Sequence, residues 1–134
     1  MPTQPIRKLR LIHSPSPGWE THRAFYRDVL RLTETSGWDA PGDRGSFLAA
    51  GEAELEVMEQ DLVTAGVLPG AEPGWHLALQ VEDLEAEYAR LRELGVPVAR
   101  EIVLHPWGSR DFVVRDPAGN PIILFQELPP PAAA

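Results

Sequence analysis

Apolar and polar positions alternate along residues 8–14, which puts Leu9, Leu11 and His13 on one face of a predicted strand. The Pro-Ser-Pro-Gly run at 15–18 ends it. The period then becomes helical over residues 19–30, where Tyr26, Val29 and Leu30 fall on one side around Phe25, the stripe of a helix that covers a sheet. Three short strands are predicted at 34–38, 45–50 and 53–59, separated by turn chemistry at Pro41-Gly42-Asp43 and at Gly51. Residues 61–74, with Gly66, Pro69, Gly70 and Pro73, carry no period and read as a connection.

The same order recurs. An alternating strand at 76–81 leads to a helix with Asp83 as N-cap and Leu84, Tyr88, Leu91 and Leu94 as its predicted buried stripe. Arg90 and Arg92 suit its C-terminal end, and Gly95 with Pro97 stops it. Strands follow at 98–103, 110–115 and 121–127, the last two joined by the tight turn Asp116-Pro117-Ala118-Gly119-Asn120. Two copies of strand, helix, three strands predict an α+β fold of two βαβββ modules, about 7–60 and 75–127, whose sheets curl around a cleft inside one domain. Alternation assigns faces within it. With Ala53, Leu55 and Val57 turned to the first helix, Glu56 faces the cleft, and with Leu77, Leu79 and Val81 under the second, so does His76. The ends, 1–5 and 129–134, are rich in Pro and small residues and are expected to hang free.

Composition narrows the chemistry. The chain has 134 residues, 43% hydrophobic and 24% charged, ordinary for one folded domain. No cysteine is present, which excludes disulfides, thiolate nucleophiles and cysteine-bound zinc, so a metal would have to sit on His, Asp or Glu. A net charge of -8 with only 12 Lys and Arg argues against a nucleic-acid partner. No apolar run approaches the roughly 20 residues of a membrane span, and the first ten residues lack a signal-peptide core, so a cytoplasmic protein without membrane contact is expected.

From Phe25-Tyr26-Arg27-Asp28-Val29-Leu30 through His76-Leu77-Ala78-Leu79-Gln80-Val81 to Asp116-Pro117-Ala118-Gly119-Asn120, the chain resembles the vicinal oxygen chelate superfamily of glyoxalases, bleomycin-resistance proteins and dioxygenases. One departure is Arg31, where relatives usually have Gly after the first helix, so the helix is expected to end by other means. Metal-dependent members hold an ion with four cleft-facing residues. The resemblance places His13, Glu56 and His76 at three of these positions and Ile123 at the fourth, which is usually Glu. Losing that carboxylate removes a bond and a neutralising charge. No cofactor is therefore the expectation, with a divalent ion (Zn, Fe, Mn or Ni) on His13, Glu56 and His76 as the alternative.

The stretch His105-Pro106-Trp107-Gly108-Ser109-Arg110-Asp111-Phe112 resembles the loop and strand of bleomycin-resistance proteins, in which a Trp at the place of Trp107 stacks on the ligand. Arg110 is read as holding either a ligand carboxylate or a neighbouring carboxylate of the protein. Trp38, Phe47, Trp75 and His105 are further aromatic candidates, either core or contact surface, and His76 completes the candidate ligand set. The expected function is a homodimeric small-molecule binding protein, sequestering an aromatic or cationic compound. The alternative is a metal-dependent lyase, isomerase or dioxygenase with Glu56 as general base, and a third reading is a scaffold without catalysis.

Overall fold

A computed structural model describes residues 6–14, 18–60, 62, 67–68, 75–117 and 119–129. The expected free ends (apart from Pro129), the Pro-Ser-Pro run at 15–17 and most of the 61–74 connection lie outside these residues. The element order is β1 (Ile6–His13), α1 (Trp19–Ala24), a π-type continuation (Phe25–Val29), β2 (Thr33–Ala40), β3 (Asp43–Ala50) and β4 (Ala53–Met58). Then come β5 (Trp75–Val81), α2 (Leu84–Glu93), β6 (Val98–Leu104), β7 (Ser109–Arg115) and β8 (Pro121–Glu127). The fold is α+β, with βαβββ written twice. None of its described helices is long and apolar enough to cross a membrane.

Two compact units divide the chain. One is Lys8–Leu77; the other joins Ala78 onward to the residues through Arg7. In the first unit the strand order is β2-β3-β4-β1, with the start of β5 beside β1. β1 and β4 run parallel because a helical crossover separates them, whereas β2, β3 and β4 are linked by tight turns and run antiparallel. Trp19, Leu48, Leu55 and Val57 form the core under α1, joined by Tyr26 and Leu32.

The predicted stripe of the first helix is displaced. Leu30 N–H donates to the Phe25 carbonyl at 3.0 Å, five residues back, and this widened turn leaves Phe25, Val29 and Leu30 exposed while Tyr26 packs inward. The helix also ends in the usual way without the usual residue. Arg31 itself takes the left-handed conformation, φ 64°, and Leu32 N–H closes the end on the Tyr26 carbonyl at 3.0 Å.

In the second unit β8, β7 and β6 form an antiparallel run, with β8 beside the later part of β5. Val81, Leu84, Phe112, Val114 and Leu124 make its core, and Ile6, Tyr88, Leu91 and Val96 pack against them. Asp83 caps α2 as expected, accepting from Ala86 N–H at 3.1 Å. Leu94 does not join the stripe. It sits past the last helical residue and is 67% exposed, because the chain turns at Gly95 (φ 82°) and delivers Val96 to the core instead.

Candidate functional site

Strand pairing sorts the side chains of the Lys8–Leu77 unit onto two faces. Leu11 lies opposite Leu55 and His13 opposite Val57, on the face covered by α1. Ile12 lies opposite Glu56, and Phe47 opposite Glu56 from the other side, on the face turned away from α1. Trp38 extends this second face across β2, its ring tilted against Phe47 at 5.6 Å. Gly45 makes room for it, since a Cβ there would lie 2.2 Å from the indole. A row of Trp38, Phe47 and Glu56 therefore crosses three strands.

Arg10 completes the row. Its guanidinium lies 4.7 Å over the Phe47 ring, its Nε donates to Glu54 Oε2 at 2.6 Å, and its Nη1 is 3.8 Å from Glu56 Oε1. Lys8 Nζ stands 3.6 Å from Glu54 Oε1. Arg10 was absent from the candidates drawn from the sequence, although alternation with Leu9 and Leu11 puts it on the face of Glu56. Glu56 is the unusual group here. It is only 9% exposed, and burial pushes its carboxyl up to about 7, with Arg10 pulling the other way and Glu54 adding to the rise.

The two candidate histidines part company. His13 stacks on Trp75 at 4.2 Å and 10°, so Trp75 shares the α1 face, and alternation turns the neighbouring His76 to the face of Glu56, where it is buried. His13 and Glu56 thus point to opposite sides of one sheet. Ile123 lies buried opposite Val113, offering no donor. No three His, Asp or Glu side chains among the described residues converge on a common point.

The Trp107 region lies in the other unit. Asp111, buried on β7, accepts from His105 Nε2 at 2.9 Å on both carboxylate oxygens and from Arg100 Nη2. Trp107 sits on the tight turn closed by Gly108 N–H to the His105 carbonyl at 3.1 Å, with Gly108 at φ 94°. Its indole lies parallel to the His105 ring at 4.3 Å and 6°, yet 63% of Trp107 is exposed. An exposed aromatic plate is thus backed by a His–Asp–Arg cluster in which His105 and Asp111 are buried. Arg110 points elsewhere and donates to Glu85 of α2, the protein-carboxylate role of its two expected ones.

An open cavity of about 560 Å³ lies between α1 and the β2–β3 hairpin. Its charged walls are mutually engaged. Arg23 donates to both Glu34 oxygens at 2.9 Å and to Ser46 Oγ at 2.8 Å, which holds Glu34 below the usual carboxylate range, and Arg44 is clamped to Glu59. This network holds α1 to the sheet.

A family model described as Glyoxalase/Bleomycin resistance protein/Dioxygenase superfamily matches residues 19–124. CFP32 of Mycobacterium tuberculosis, whose name assigns it provisionally to the glyoxylases, is 33% identical over 108 residues. That match covers 80% of this chain, which spans only 38% of the relative's length. The uncharacterized protein YwbC of Bacillus subtilis is 30% identical over 109 residues, covering 76% of this chain and 83% of its own. Among solved structures, methylmalonyl-CoA epimerase of Mycobacterium tuberculosis superposes with a TM-score of 0.70 at 25% identity, covering 100% of this chain and 97% of the epimerase.

Proposed function

Because the chain belongs to the glyoxalase/bleomycin resistance protein/dioxygenase superfamily, we propose that it binds a small carbonyl compound on the face of the Lys8–Leu77 unit turned from α1, and that Glu56 moves a proton there. The observation that carries this reading is a buried carboxyl titrating at about 7 beside a guanidinium and an aromatic wall. Near neutral pH such a group is present in both forms, so it can take a proton and return it. The C–H bond next to the carbonyl breaks, its proton passes to the Glu56 carboxylate, and the electron pair moves into the carbonyl as an enolate. Arg10, 3.8 Å from Glu56 Oε1, supplies a positive charge for that developing anion. His76 lies buried on the same face, two strands from Glu56, so two titratable groups share it. Likeness to an epimerase supports this chemistry, since inverting a carbon next to a carbonyl requires removing and returning one proton.

The test uses small acyl thioesters, methylmalonyl-CoA among them, and 2-substituted ketones in deuterated water, with exchange at the acidic carbon read by mass spectrometry. Wild type should incorporate deuterium into at least one member, and Glu56→Gln should lose at least about a hundredfold in rate. Exchange that survives Glu56→Gln, or none across the panel, would overturn the proton-transfer reading. The second reading is sequestration of a planar compound without reaction, favoured by one observation, the exposed Trp107 plate backed by His105. On either reading we propose a homodimer, supported by Val103 and Leu104 standing exposed on β6, which among the described residues pairs only through β7.

A further inference from the structure

We infer that His13 and His22 form a two-imidazole site for a divalent transition ion on the α1 face of the Lys8–Leu77 unit, away from Glu56. Their ring centres lie 5.3 Å apart with planes at 64°. A nitrogen bound at ~2.0–2.1 Å puts the centre of its ring about 3.1 Å from the ion, so two tetrahedral imidazole ligands have centres about 5.1 Å apart. The observed spacing matches that of a pair sharing one ion.

The ring of His22 is also prepared for the task. Its Nδ1 lies 3.0 Å from the Gly18 carbonyl, an atom that can only accept, so the proton is on Nδ1 and the lone pair on Nε2. A hydrogen bond from the non-coordinating nitrogen to a backbone carbonyl is the arrangement that orients metal-bound histidines. His13 is held by its stack on Trp75 at 4.2 Å, with Tyr26 edge-on to both rings at 6.4 and 6.2 Å. Both imidazoles are therefore fixed before any ion arrives, which reduces the ordering that binding requires. Neutral nitrogen ligands select zinc, nickel or copper over calcium and magnesium, which need oxygen. No third His, Asp or Glu among the described residues joins the pair, so water fills the remaining positions and leaves the ion open to a further ligand.

The experiment is calorimetric titration of the full chain with zinc chloride and nickel chloride at pH 7.5, after treatment with chelator. One equivalent should bind, and His22→Ala, which removes a partly exposed side chain, should weaken binding at least about tenfold. His13→Phe keeps a ring against Trp75 and removes the nitrogens; it should weaken binding equally while leaving the melting temperature near that of wild type. Copper(II) should quench Trp75, and Trp75→Phe should remove most of that quenching. The double variant Glu56→Gln, His76→Ala should bind as wild type does. Failure of wild type to bind, retention of full affinity in His22→Ala, or loss of binding in the double variant would each overturn the inference, the last by assigning the ion to the opposite face.

Discussion

Replacing Glu56 by Gln should stabilise the protein, and by an amount that depends on pH. In the unfolded chain this carboxyl titrates near its ordinary value of 4.5, whereas in the fold it titrates at about 7. Below about 4.5 it is protonated in both states and contributes no penalty. As pH rises through this interval the unfolded state ionises readily while burial resists ionisation of the native state, so stability falls until the folded group has ionised above about 7. A rise from 4.5 to about 7, at ~1.4 kcal/mol per tenfold in proton affinity, puts the full penalty at about 3.5 kcal/mol, an upper bound because water entry relaxes buried charges. Glu56→Gln removes the titration and keeps the shape. Urea unfolding between pH 4.5 and 9 should therefore give coincident stabilities for the two proteins near pH 4.5 and a gap of roughly 2–3 kcal/mol in favour of the variant at pH 8.5. Curves that run parallel across the range would show that Glu56 is well solvated in solution, and both the raised value and its proposed proton transfer would fall together.

Arg31→Gly should stabilise the protein by about 0.5–1 kcal/mol, because a left-handed residue with a Cβ costs about 1–2 kcal/mol and the added freedom of Gly in the unfolded chain takes back part of that; thermal melts should rise by a few degrees. Trp107→Ala should lower stability by only about 1 kcal/mol, since the ring is exposed and loses one stacked partner, whereas Asp111→Ala strands a buried His105 and a half-buried Arg100 and should cost about 3–5 kcal/mol. Denaturant unfolding of both variants decides this, and equal losses would mean that Trp107 belongs to the core. Sedimentation at micromolar concentration should give a dimer, and Leu104→Lys on the exposed β6 should shift it to monomer; a wild-type monomer refutes the assembly.

The repeated βαβββ order was legible because period and turn residues are local properties, and Glu56 followed from alternation against Leu55 and Val57. His13 was harder. Alternation grouped it with Leu9 and Leu11, but whether that face meets Glu56 or α1 depends on the register of β1 against β4, and pairing across a crossover leaves no local trace in either strand. Arg10 carried a readable signal, being of opposite parity to Leu9 and Leu11 and so on the face of Glu56. The stripes around Phe25 and Leu94 failed for a different reason. A widened turn and a left-handed chain reversal shift which residue points inward by one or two positions, and hydrophobic spacing alone does not contain that shift.

Two strands change allegiance along their length, and this sets an order of events during synthesis. Lys8–Leu77 is continuous in sequence and can complete its core as soon as it leaves the ribosome. The other unit holds Ile6 against Leu84, Phe112 and Leu124, which are made much later than Ile6. Ile6 must therefore wait for its core partners until Leu124 has been made. Ile6→Ser should slow closure of the later unit while leaving the earlier one intact, a difference that pulse proteolysis of nascent chains would resolve.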